Sequence, residues 1–122
     1  MILVDTSVWI DHLRSGDGML AELLRQNEVL MHPMVLGELA CGNLKNRSEL
    51  LILWMNLPQA KQANHREVMV SIEQNKLMGI GIGYVDAHLI ASTLLQLNAV
   101  LWTRDKRLHK AAEKLGLALT EH

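Results

Sequence analysis

The chain contains no phenylalanine, one tyrosine, three tryptophans, two prolines and a single cysteine among 122 residues. One cysteine, Cys41, excludes an intramolecular disulfide framework and fits a reducing compartment. So few aromatics exclude a platform on which successive bases of a single strand would stack. No apolar run approaches the ~20 residues of a membrane span. The opening MILVD is apolar too briefly for a signal peptide and lacks a basic leader. A soluble, cytoplasmic protein is expected. Repeats, low-complexity tracts and linkers are also lacking, and the length suits one domain over residues 1–122.

Charge is nearly balanced. Twelve Lys and Arg face thirteen Asp and Glu, for a formal net charge of -1. That balance does not advertise a nucleic-acid binder. Acids gathered around a cation would, however, leave the remainder net positive. The basic residues are dispersed, and the one dense patch is Arg104 to Arg107.

What is present alternates between short apolar runs and helical periods. Residues 2–5 read as a buried strand, and Thr6 or Ser7 can cap a helix to about Leu13. Residues 19–26 form a second helix and 28–31 a second strand. Pro33 suits the first turn of a third helix, which Gly42 ends. Asn46 with Glu49 resembles a capping box opening a helix to about Leu57. Further helices are predicted from about Asn64 to Met78, from Val85 to Leu97 and from Lys106 to Leu115. Strands are predicted at 99–103 and 117–120. The pattern implies an α/β fold: a central parallel sheet of four to five short strands, with helices on both faces. Right-handed crossovers place the carboxyl ends of all strands on one edge, where such folds hold ligands.

Four acids converge on that edge. Asp5 ends the first strand, and Asp105 follows the strand ending at Thr103. Glu38 lies in the helix after the second strand, and Asp86 in the first turn of its helix. Each has a plainer reading: Asp5 as a turn residue, Glu38 as a solvated helix position, Asp86 as a complement to a helix dipole, Asp105 as an N-cap. Together, without a Cys or His ligand pair nearby, they suit a hard cation such as Mg²⁺ or Mn²⁺ and not zinc.

The surrounding motifs carry a resemblance. MILVDTSVWI (1–10), VLGELACG (35–42), GYVDAHLIA (83–91) and LWTRDKRL (101–108) resemble, in order, the four motifs of VapC-type PIN-domain ribonucleases. These are the toxins of VapBC type II toxin–antitoxin pairs. The resemblance implies Asp5, Glu38, Asp86 and Asp105 as catalytic and metal-binding residues around Mg²⁺, with Mn²⁺ able to substitute. Asp5 and Asp86 are the expected direct ligands, and Thr6, Ser7 and Thr103 the expected supports. It also implies hydrolysis of phosphodiester bonds in transfer or ribosomal RNA, leaving a 5′-phosphate and a 3′-hydroxyl without a covalent intermediate. The implied partners are a second copy of the chain and a VapB antitoxin reaching the acids with a basic side chain.

Two other classes compete. A phosphohydrolase using an aspartyl-phosphate would carry a second Asp two residues after Asp5, where Ser7 stands. A catalytically inactive binding module of the same fold would be expected to lose an acid, yet all four are present. Cys41 is expected to pack and His88 to take a core or surface role. His12 is a lesser candidate for approach to the site. The loop with Gly79, Gly81 and Gly83 is not a phosphate-binding motif. The run LLILWM over 50–55 makes a helix apolar almost all round, so Trp54 or its neighbours are expected at a protein interface.

Overall fold

The computed structural model describes residues 1–121. Its elements are β1 (Ile2–Val4), α1 (Thr6–Ser15), α2 (Gly18–Arg25), β2 (Val29–Leu30), α3 (Pro33–Ala40), α4 (Arg47–Met55), α5 (His65–Gln74), α6 (Tyr84–Leu95), β3 (Val100–Trp102) and α7 (Lys106–Lys114). The three strands form one parallel sheet in the order β2-β1-β3. Leu3 lies opposite Leu30 on one side and Leu101 on the other. Strand residues buried on both faces explain the continuous apolar runs.

The sheet is shorter than the four to five strands expected. Residues 117–120 contribute a single parallel bridge, Leu101 with Ala118, held by Leu101 N–H to Leu117 O and Leu119 N–H to Leu101 O. Met31 makes a similar bridge to Gln59. Both segments pair over one residue only, too little to extend a ladder.

Several boundaries also moved. Helix α4 ends at Met55 and α5 at Gln74, short of Leu57 and Met78. Asn46 does not cap α4 through its side chain: it sits in the left-handed region at φ 53°. The same Asn-x-x-Glu pattern at Asn64 does form a reciprocal capping box with Glu67.

The core is built on Leu3, Val4, Leu101 and Trp102 of the sheet, with Val8 and Trp9 of α1, Leu89 and Ile90 of α6 and Leu108 of α7. Trp54 is buried against Trp9, edge to face at 5.8 Å. This contact is worth ~1 kcal/mol beyond area burial. Trp54 therefore faces inward, and it is Ile52, Leu53 and Met55 that α4 turns to solvent. The helix's apolar circumference thus splits into a core face and an outer face. Cys41, expected to pack, is exposed beyond the last turn of α3. No helix among the described residues is long and apolar enough to cross a membrane.

Candidate active site

Asp5 follows β1 and Thr103 follows β3, so the parallel register sets them side by side. Asp5 is buried and does not use its carboxylate to cap α1. Instead, Asp5 Oδ2 accepts hydrogen bonds from Ser7 Oγ and Thr103 Oγ1, each at 2.7 Å. The two hydroxyls also receive backbone N–H groups from the chain after β3: Ser7 Oγ from Arg104 at 3.0 Å, Thr103 Oγ1 from Asp105 at 3.1 Å. A small polar network thereby joins the ends of two strands and orients one carboxylate.

The other acids are each held by a single oxygen. Glu38, exposed on α3, accepts from Thr6 Oγ1 through Oε1 at 2.6 Å. Asp86 Oδ2 accepts the Gly83 N–H at 3.1 Å, closing the first turn of α6. Asp105 Oδ1 accepts from the N–H groups of Arg107 and Leu108, so it caps α7 as one reading of the sequence held. Capping does not exhaust it: Asp105 Oδ2, like Asp5 Oδ1, Glu38 Oε2 and Asp86 Oδ1, has no hydrogen-bond donor among the described residues. Thr6, Ser7 and Thr103 all touch acids of the set.

Electrostatics ties the four together. Burial pushes the Asp86 carboxyl above its usual range, against the Gly83 hydrogen bond, and the charges of Asp5, Asp105 and Glu38 push it further. Among the described residues, no three His, Cys, Asp or Glu side chains stand close enough together, as placed, to hold a metal ion between them. The donor set is all oxygen and open. That suits an ion held by a few carboxylates with water completing its shell, the habit of Mg²⁺, and does not suit a closed structural zinc site.

Other candidates have structural explanations. His12 Nδ1 accepts the Asp17 N–H at 2.9 Å and steadies the α1–α2 turn. His88 is buried, with the Tyr84 ring edge-on at 4.7 Å. His32 is buried at the start of α3, where Nδ1 accepts the Met34 N–H. Burial, with His88 beside it, lowers the His32 pKa to about 4.

Arg104, part of the basic patch read from the sequence, is committed elsewhere. Its guanidinium pairs with Asp11, Asp17 and Glu121 and lies over the Trp102 ring, 5.5 Å from its centroid. Hydrogen bonding to Glu121, Asp17 and Asp11 holds the arginine firmly charged and in turn lowers the carboxyl pKa values of Asp17 and Glu121. Asp11 and Asp17 lie 93 and 87 positions before Arg104 and Glu121 lies 17 after it, so no local pattern announces the pairing.

Residues 2–114 match the family model of the PIN domain. Ribonuclease VapC32 of Mycobacterium tuberculosis, in two strains, is 50% identical over 121 residues, covering 99% of this chain and 98% of that protein. The crystal structure of PAE2754 from Pyrobaculum aerophilum superposes with a TM-score of 0.67 at 16% identity, over 97% of this chain and 87% of that one. The structure of FitAB bound to an IR36 DNA fragment superposes at 0.62 and 21% identity, over 100% and 99%. At such identities those two structures share the fold. The strand-edge acids, the match over residues 2–114 and the half-identical ribonuclease lead to one assignment: the chain belongs to the PIN-domain family, among its VapC-type ribonucleases.

Proposed function

We propose that this protein is the toxin of a VapBC-type pair, a Mg²⁺- or Mn²⁺-dependent endoribonuclease acting on a structured RNA such as a transfer or ribosomal RNA. The observation that carries the reading is that Asp5, Glu38, Asp86 and Asp105 each anchor one oxygen on the protein and leave the other without a protein donor. The raised Asp86 pKa, due first to burial and then to the charges of Asp5, Asp105 and Glu38, supports the same reading, since a cation would relieve the charge repulsion. Asp5 and Asp86 would be the direct ligands, with Glu38 and Asp105 acting directly or through water. When bound, the ion neutralises the phosphodiester and lowers the pKa of an attacking water.

The remaining steps belong to the chain's own groups. Ser7 and Thr103 fix the Asp5 carboxylate, so its second oxygen has a defined direction. Thr6 does the same for Glu38. Asp86, with its raised pKa, is the acid best suited to holding a proton when the site is not neutralised. No nucleophilic side chain is required, and hydrolysis leaves a 5′-phosphate and a 3′-hydroxyl.

A cytoplasmic setting, a homodimer and a VapB-type antitoxin complete the proposal. The solvent-facing Ile52, Leu53 and Met55 of α4 are the surface offered to one of these partners. The test is RNA cleavage with Mg²⁺ or Mn²⁺ against EDTA, using wild type, Asp5→Asn and Asp86→Asn. Cleavage by wild type alone, and only with metal, is expected. Cleavage in EDTA, or by either variant at the wild-type rate, overturns the reading.

A further inference from the structure

The patch that looked most basic in the sequence loses Arg104 to three acids, and the available cations lie further along α7. Arg107, Lys110 and Lys114 are spaced at i, i+3 and i+7, the repeat of one helix face. All three line one groove of about 320 Å³ with Ile80 and Ala111. All three are exposed. None has an acidic partner within salt-bridge distance among the described residues, whereas Arg14, Arg25 and Arg104 do. The one acid in the helix, Glu113, has its carboxylate 3.6 Å from His109 Nε2, an ion pair when that imidazole is protonated.

Arg107 is also positioned. Its side chain lies across Gly81, where an added Cβ would sit 2.6 Å from Arg107 Cδ and 2.8 Å from Nη1. Gly81 has φ +85°, a conformation that favours glycine for a second reason. The contact joins two segments that each carry an acid of the set. Gly81 lies two residues before Gly83, whose N–H binds Asp86, and Arg107 lies two residues after Asp105. From Arg107 to Lys114 the helix rises roughly 10 Å. At ~3.4 Å of axis per phosphate on one strand, that length spans roughly three phosphates.

We propose that Arg107, Lys110 and Lys114 form a phosphate-binding stripe that carries the RNA backbone along α7 away from the acidic site. The proposal rests on the nuclease reading for the identity of the polyanion. Contacts of this kind position a backbone without reading its bases, so the stripe sets affinity and register and leaves sequence choice to other groups. The Gly81 seat holds the first guanidinium next to the acids, and the two lysines act as more mobile charges beyond it.

The experiment measures binding in EDTA on the Asp5→Asn background, so that cleavage does not intervene. The probe is a fluorescein-labelled 20-nucleotide RNA, as a hairpin and as oligo(U), titrated across salt concentrations. The triple variant Arg107→Gln/Lys110→Gln/Lys114→Gln is compared with a variant of equal charge loss, Arg25→Gln/Lys61→Gln/Lys76→Gln. At ~0.7 per phosphate on a single strand, the stripe variant should flatten the log K against log salt slope by about 2. It should also bind roughly tenfold or more weakly at ~100 mM salt. Placed in the wild-type protein with Mn²⁺, the same three substitutions should lower cleavage through KM rather than kcat. The control variant should stay within about twofold of its parent. Equal losses in the two variants, or an unchanged salt slope in the first, overturn the stripe. A protein that binds RNA through the stripe but never cleaves it overturns the nuclease reading alone, so the two failures are distinguishable.

Discussion

Thr103 Oγ1 donates a 2.7 Å hydrogen bond to Asp5 Oδ2 across 98 positions of sequence. The same oxygen accepts the Asp105 N–H, so one buried hydroxyl sets the direction of one acid and the backbone of another. Parallel pairing of β1 with β3 makes this possible, because Val4 lies opposite Trp102 and the next residues leave the sheet together. Strand register thus brings Asp5 and Thr103 together, and the Ser7 and Thr103 hydroxyls join the Asp5 carboxylate to the backbone that follows β3.

Thr103→Val keeps the branched shape and removes the joint. A donor to a buried carboxylate and an acceptor for a backbone N–H are lost together. Stability should fall by about 2 kcal/mol. Cleavage should drop at least tenfold while the fold persists. Urea unfolding beside cleavage assays checks both, and activity within twofold of wild type would mean that Ser7 alone orients Asp5.

Leu53 is 62% exposed on α4, while Trp54 beside it is buried. Leu53→Lys should therefore change the stability of the isolated protein by less than ~0.5 kcal/mol. It should weaken self-association or capture of the cognate antitoxin at least tenfold, ~1.4 kcal/mol. Sedimentation of the protein alone and with antitoxin measures both. If neither changes, this face is ordinary surface.

How far the sequence could be read varied with the range of the interaction. The positions of the four acids in the fold were legible because strand ends and helix starts have local signatures and strand edges follow from parallel topology, whereas their grouping as one site came from the motif resemblance. All seven helices were likewise visible in their periodicity. Local signals failed where distant residues decide the outcome. Asn46 and Asn64 carry the same Asn-x-x-Glu pattern, yet Asn46 adopts φ 53° and forms no side-chain cap, while Asn64 forms the box. Arg104 read as part of a basic patch and is instead enclosed by Asp11, Asp17 and Glu121. Asp105 is the N-cap of α7, and because one oxygen makes the cap the other stays available for the proposed role.

His32 predicts an acid-sensitive arm of stability. Its folded pKa, about 4, lies below the ordinary imidazole value of 6.5, chiefly through burial. The stability it contributes is therefore present above pH 6.5 and is lost as pH falls from there toward 4. A shift of this size corresponds to about 3 kcal/mol when complete. Protonation also removes the Nδ1 acceptor that caps α3 at Met34. His32→Asn supplies a capping oxygen that does not titrate in this range. Its stability should change less between pH 7 and 4.5 than that of wild type, read from urea midpoints at matched ionic strength. Parallel curves for the two proteins would refute the assignment.

Asp86 predicts the opposite arm. Its folded pKa is raised, by burial first and then by the charges of Asp5, Asp105 and Glu38. Between the unfolded value of 3.8 and the raised folded value, the folded state holds more protons than the unfolded one. Its ionisation thus opposes folding as pH rises through that window, and at neutral pH the metal-free protein bears the cost. Asp86→Asn removes the charge and keeps an oxygen to accept the Gly83 N–H. In EDTA at pH 7, the variant should be more stable than wild type by about 1 kcal/mol, a figure already reduced for the partial exposure of the side chain. Millimolar Mn²⁺ should reverse the order, because a ligand that binds only the folded state stabilises in proportion to its affinity, and the variant has lost a carboxylate donor. Activity and metal-free stability then move in opposite directions at one residue. Melting curves of both proteins, each in EDTA and in Mn²⁺, decide the matter. If Asp86→Asn melts well below wild type in EDTA, or if Mn²⁺ raises both equally, Asp86 serves only to close the first turn of α6.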